Sequence, residues 1–206
     1  MTKQIKNKIL KKFLFKIILF CCSNKIRIYI YRKFFNYSIG GNVRIDKCII
    51  NCEKVVIGND VILRDHNLIS CKNLEIGNKT KINSNNTILG HSDFKIGRNS
   101  RIMNYHYFDV YSNITIGDNT WIAGRNSQFW THGSTKTKLK KNLSINVGNN
   151  VYIASNCSIG PSVRINDLNL IGLGSVVLNS VESNKNIVSG NPAKIIKNHI
   201  DWRVNW

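Results

Sequence analysis

The chain carries six cysteines but no CxxC pair: Cys21 and Cys22 are adjacent and the others are scattered. That pattern excludes a disulfide framework and a zinc cluster, and it points to a reducing compartment. No two of the five histidines lie five positions apart, so a His-x4-His metal pair is missing and no metal is expected. Acidic residues are scarce, 11 against 30 Lys and Arg, and none precedes Asp46, which leaves a formal net charge of +19. This excess reads either as general enrichment in Lys, Asn and Ile or as a surface for a membrane, a nucleic acid or an acidic substrate. Long apolar runs are absent too. Lys11, Lys12 and Lys16 interrupt the N-terminal apolar residues, so no span there can cross a bilayer. A secretory signal is the competing reading, but Ile17 to Cys22 is brief and no small-x-small site precedes Cys21.

The first 42 residues form a basic segment. Ile5, Ile9, Phe13 and Ile17 recur at helical spacing with Lys8, Lys12 and Lys16 beside them, which predicts an amphipathic helix. The following KIRIYIYRKFF alternates like a strand and equally suits a helix. The segment suits a membrane surface or a cap on the following domain; its apolar face is too complete for a nucleic-acid arm, so no nucleic acid is expected.

From Val43 the chain repeats. Val147, Ile153, Ile159, Ile165, Ile171 and Val177 open consecutive six-residue blocks, and Ile-Gly pairs begin at Ile57, Ile76, Ile96 and Ile116. A period of six fits neither a helix nor a long strand. It fits an all-β, parallel β-helix in which each block makes one short strand and turns a corner, three blocks to a coil. Aliphatic side chains then stack inside, and Gly and Asn supply the backbone the corners need. From Ile116 to Val147 the interval lengthens, so a loop leaves the coil there, at residues 133–144. Gln128 stands where an aliphatic is expected, and Thr131-His132 border the loop. The repeat stops after Val177; a closing element with Gly190-Asn191-Pro192-Ala193-Lys194 follows, and then a tail over 198–206.

Hexads, a looped-out histidine and then GNPAK, in that order over residues 43–197, resemble the hexapeptide-repeat acyltransferases. This left-handed β-helix family includes the galactoside, maltose and nodulation-factor O-acetyltransferases. The resemblance implies a homotrimer with sites between subunits and acetyl-CoA as donor. The acceptor it implies is a carbohydrate hydroxyl, as in capsule, exopolysaccharide or lipopolysaccharide synthesis.

Residue by residue, the resemblance makes His132 the general base, and imidazole suits that task because it titrates near neutrality. His106 is the rival, although it falls within the hexad IMNYHY. The backbone N–H of Ser155 matches the donor to the thioester oxyanion. Asn104 and Asp109 match acceptor-binding positions, with a corner role as the alternative for both. Ala154, Gly172, Leu173 and Gly174 match the wall along the pantetheine arm, and Lys194 and Lys197 match basic positions near the CoA phosphates. Leu173 departs from the relatives, which often have Ala there. Trp130 is outside the repeat logic; stacking on a sugar and packing on a neighbouring subunit both suit it. An N-acyltransferase acting on an amino sugar and a non-catalytic trimeric scaffold are the alternative functions. The expected location is cytoplasmic, peripheral on the inner face of the cytoplasmic membrane.

Overall fold

The computed structural model describes residues 8–133 and 142–204. Two short helices, α1 (Lys8–Phe20) and α2 (Asn24–Lys33), precede a solenoid of three sheets. The first sheet stacks Ser38–Ile39, Lys54–Ile57, Asn73–Ile76, Phe94–Ile96, Ile114–Ile116, Ile145–Val147 and Arg164–Ile165. The second stacks Arg44–Ile45, Ile62–Leu63, Lys81–Ile82, Arg101–Asn104, Trp121–Arg125, Tyr152–Ile153 and Leu170–Ile171, and then the closing hairpin Ile187–Gly190 and Ala193–Lys197. The third stacks Ile49–Ile50, Leu68–Ser70, Thr87–Gly90, Tyr107–Val110, Gln128–Trp130, Ser158–Ile159 and Val176–Val177. The chain visits the three sheets in turn, coil after coil, and every pairing is parallel until the antiparallel hairpin. This is the parallel β-helix that the hexads predict, consistent with the left-handed form that the resemblance implies.

Register explains the hexads. One inward column runs Ile39, Ile57, Ile76, Ile96, Ile116, Val147, Ile165. The second runs Ile45, Leu63, Ile82, Ile102, Ile122, Ile153, Ile171, Val188. The third runs Ile50, Ile69, Ile88, Phe108, Phe129, Ile159, Val177. All are buried and belong to one core. Gln128 does not take the aliphatic place, as the sequence suggested; Phe129 does, stacked on Phe108 at 4.6 Å between centroids. The displaced residue is absorbed at the corner before it, where Gly124 adopts a φ of +64°.

Corners divide their chemistry between two residue types. Asn42, Asp60, Lys79, Asn99, Asn119 and Asn150 take the left-handed conformation at the corner between first and second sheets. Short amide side chains tolerate it best. The glycines of the Ile-Gly pairs serve another purpose, because their φ angles are ordinary. A Cβ on Gly77 would lie 2.6 Å from the carbonyl carbon of Gly97, and one on Gly97 would lie 2.6 Å from that of Gly117. Asn makes the turn in most coils, with Asp60, Lys79 and Leu168 at the same position in others, and Gly lets successive turns stack.

The N-terminal segment plugs the open end of the solenoid. Ser23 caps α2 by accepting from the Ile26 N–H, and Arg27, Ile30 and Tyr31 are buried at helical spacing. The ambiguous KIRIYIYRKFF is thus helix, selected by what it docks against. The Tyr31 hydroxyl donates to the Cys48 carbonyl (2.7 Å) and accepts from the Ile50 N–H (3.0 Å). Asn24 bridges the Val43 carbonyl and the Ile45 N–H. These contacts satisfy backbone groups of the first coil, where an open sheet end would otherwise pair with another chain. In α1, Leu14 and Ile18 face the core while Phe13 and Phe20 are exposed. Among the described residues no helix is long and apolar enough to cross a membrane.

Candidate active site

Two edges of the third sheet collect the residues singled out by sequence. At the corner between third and first sheets the coils grow longer: seven residues separate Ile69 from Ile76, and eight separate Phe108 from Ile116. The loop leaves from this same corner, between Phe129 and Val147; residues 134–141 of the expected loop lie outside the described residues.

His132 stands here. Its Nδ1 lies 2.7 Å from Oδ2 of Asp109, one coil earlier. A carboxylate only accepts, so Nδ1 carries the proton and Nε2 is left as an acceptor. Asp109 is held from behind, since the Thr131 N–H donates to the same Oδ2 (3.1 Å). The Thr131 hydroxyl donates to the Asp109 carbonyl (2.7 Å) and accepts from the Ser112 N–H (2.8 Å). The His132 side chain is 46% exposed and that of Asp109 only 12%, so the imidazole meets solvent while its partner is shielded. Trp130 flanks His132 edge-on at 6.0 Å and Tyr111 lies at 5.8 Å. Asp109, expected among the acceptor contacts, thus lies against the imidazole. Tyr111 and Thr131 went unread as site residues. Only the coil register, which puts residues about one turn apart side by side, would have paired Asp109 with His132.

The opposite edge joins second and third sheets. Asn104 pairs with Arg125 in register, the Asn156 N–H donates to the Arg125 carbonyl, and the Gly174 N–H donates to the Ser155 carbonyl. Asn104, Ser155 and Leu173 therefore stand in one column, with Ala154, Gly172 and Gly174 beside them. The Ser155 hydroxyl accepts from the Arg125 N–H (3.2 Å) and sits where a side chain on Gly124 would be. Among the described residues no acceptor takes the Ser155 N–H. A Cβ on Gly174 would meet open space, and Leu173 is exposed. Lys194 and Lys197 lie on the exposed outer strand of the closing hairpin.

His106 belongs to neither edge group in chemistry. It is buried within an amide and hydroxyl ladder: the Asn86 N–H donates to Asn67, the His106 N–H to Asn86, and the Ser127 N–H to Nδ1 of His106. Burial pushes its pKa down to about 4, so it is a neutral structural group. Among the described residues no cluster of three His, Cys, Asp or Glu is placed to hold a metal ion.

No family model matches the chain. It is 36% identical over 112 residues to the galactoside O-acetyltransferase of Escherichia coli (strain K12), covering 52% of this chain and 54% of that protein. The chain thus spans about half the length of that curated relative. In structure it is similar to the polySia-specific acetyltransferase NeuO, with a TM-score of 0.55 at 24% identity over 81% of this chain and 83% of the other. It is also similar to a galactoside acetyltransferase in complex with coenzyme A, with a TM-score of 0.50 at 18% identity over 96% and 85%. With its hexads in coil register, the chain is thus similar in sequence, over about half its length, to a galactoside O-acetyltransferase, and in fold to these solved acetyltransferases.

Proposed function

We propose that the protein is an O-acetyltransferase that moves the acetyl group of acetyl-CoA to a hydroxyl of a carbohydrate acceptor. The observation that carries the reading is the half-exposed His132 whose Nδ1 is held by shielded Asp109. Nε2 of His132 takes the proton of the acceptor hydroxyl as its oxygen attacks the thioester carbonyl. The Ser155 N–H meets the oxyanion that forms. Collapse of the tetrahedral intermediate breaks the C–S bond, and His132 returns its proton to the CoA thiolate. No acyl-enzyme is needed.

The two edges lie at opposite ends of the third sheet, about five residues or roughly 15 Å apart at the rise of a strand. One subunit therefore cannot present both groups to one reacting carbon. A homotrimer in which the His132 edge of one copy meets the Ser155 edge of the next supplies the missing half. Asn104 and Trp130 then face the acceptor. Gly172, Leu173, Gly174 and Ala154 line the pantetheine arm, and Lys194 and Lys197 reach the phosphates. The reading places the enzyme in capsule, exopolysaccharide or lipopolysaccharide synthesis, peripheral on the cytoplasmic membrane. Exposed Phe13 and Phe20 on α1, with exposed Lys12 and Lys16, support that location. The test is mass spectrometry of saccharide acceptors incubated with purified protein and acetyl-CoA, with His132→Ala as control. A 10²–10⁴-fold loss of turnover in the variant is expected; unchanged turnover overturns the assignment.

A further inference from the structure

The outer face of the second sheet carries a groove distinct from both edge groups. Trp121 and Tyr152 point outward from adjacent strands, paired in register. The C-terminal tail returns over them. The Trp202 ring lies 6.4 Å from that of Trp121 and 5.3 Å from that of Tyr152, and all three rings are mutually tilted. Two bonds to one residue fix the tail: the Trp202 indole N–H donates to the Asn150 carbonyl (2.8 Å), and Arg203 donates to the Asn150 side chain (2.9 Å). The result is a concave aromatic wall around a cavity of about 600 Å³. Trp121 remains 36% exposed in this groove.

The polar groups here identify a ligand. Next to the groove, outside its lining but in the adjoining hollow that shares Trp121 and Tyr152, the guanidinium of Arg101 lies 4.6 Å from the centre of the Trp121 ring, and among the described residues no carboxylate forms an ion pair with it. Asn99 and Asn119 set amides along the rim. Aromatic faces take the C–H surface of a pyranose, amides take hydroxyls, and a guanidinium takes a carboxylate with paired donors. A volume of several hundred Å³ suits a small ligand, and a net charge of +19 favours an acidic one.

We propose that this groove is a carbohydrate subsite that holds an anionic oligosaccharide segment of the acceptor, away from the hydroxyl that is acetylated. The proposal rests on the function argued above and narrows its substrate class to an acidic chain. Tyr152 stands three residues before Ser155, at most roughly 10 Å along the chain, so a chain seated in the groove can run toward the Ser155 edge. The site selects polymer over monosaccharide because only a longer chain reaches both places.

The experiment is calorimetric titration of the full-length His132→Ala protein, without acetyl-CoA, with carboxylated hexasaccharides such as hexagalacturonate and with neutral maltohexaose. The acidic hexamer binds, added salt weakens it, and maltohexaose does not bind. Trp202→Ala and Arg101→Gln each weaken acidic binding about tenfold while sedimentation and acetyl-CoA affinity stay as in the parent. The proposal is overturned by equal binding in the variants, by equal binding of the neutral chain, or by no binding at all. It is overturned equally if Trp202→Ala dissociates the oligomer, making the groove an interface, or weakens acetyl-CoA, making it part of the donor site. Because binding is read without turnover, failure of the acetyl-transfer reading appears separately, as saccharides that bind and are never acetylated.

Discussion

Nδ1 of His132 and Oδ2 of Asp109 lie 2.7 Å apart, and the same oxygen also accepts from the Thr131 backbone. One carboxylate thus fixes the orientation of the imidazole, its tautomer and the direction of its free lone pair. An amide in its place would turn an N–H toward Nδ1, and the proton would move to Nε2, where it blocks base catalysis. Asp109→Asn should lower kcat by about 10²–10³-fold, with little change in the KM for acetyl-CoA. Asp109→Glu, which keeps the acceptor, should recover part of that loss. A purely structural role for Asp109 would instead lower thermal stability and leave the kcat of the folded fraction and its pH profile intact.

Gly124 supplies the second prediction. It sits at a φ of +64°, and a Cβ there would overlap the Ser155 hydroxyl. A side chain in this conformation costs about 1–2 kcal/mol before any clash is counted. Gly124→Ala should lower Tm and also displace the Ser155 backbone, so that kcat falls in the fraction that remains folded. Differential scanning calorimetry beside turnover checks both; a variant with parental kcat would remove Ser155 from the oxyanion role.

Much of this was legible in the sequence because a solenoid repeats its constraint. Each inward Ile or Val is placed by the same corner geometry, so the period announced the fold before any long-range contact was known. His132 stood out as a candidate because it borders the loop beside a break in the period, and its role as base came from the resemblance alone. Asp109 as its partner was not legible, since the pairing depends on how many residues each corner absorbs, and hydrophobicity says nothing about that. The shift from Gln128 to Phe129 has the same origin: one extra residue at Gly124 moves the inward position without changing the composition around it. Trp202 was beyond reach for a different reason. A tail that folds back on Asn150, 52 residues away along the chain, leaves no periodic mark.

His106 should make the fold sensitive to acid. Its pKa is depressed by burial to about 4, against about 6.5 in an unfolded chain. Below pH 6.5 the unfolded state binds a proton that the native state refuses, so stability falls as pH drops from about 6.5 to about 4 and then levels off. The group's share is roughly 3 kcal/mol over that window. His106→Asn keeps an acceptor for the Ser127 N–H, just as Asn86 and Asn67, one and two coils earlier, each accept from the N–H of the coil that follows. The variant should fold, retain turnover and show a flatter dependence of Tm on pH between 4 and 6.5. A parental slope in the variant would assign the acid sensitivity elsewhere, and loss of turnover would return His106 to the list of bases.

The N-terminal helices should prove to have two separable roles. Deleting residues 1–38 as a block, the obvious truncation, removes the Tyr31 bonds to Cys48 and Ile50 as well as the α1 surface, so it unfolds the first coil whatever the membrane does. Single changes divide the two roles. Tyr31→Phe leaves the buried Ile50 N–H and Cys48 carbonyl without this hydroxyl and should cost about 1–3 kcal/mol, with no change in vesicle binding. Phe13→Ser with Phe20→Ser alters only the exposed face of α1. It should leave Tm unchanged and abolish co-sedimentation with anionic vesicles, which in the parent should already weaken as salt rises. Binding to anionic vesicles and not to neutral ones marks the lysines Lys12 and Lys16 as contributors. Parental protein that ignores vesicles at every salt concentration would leave α1 as a cap alone, its outer phenylalanines then open to a protein partner.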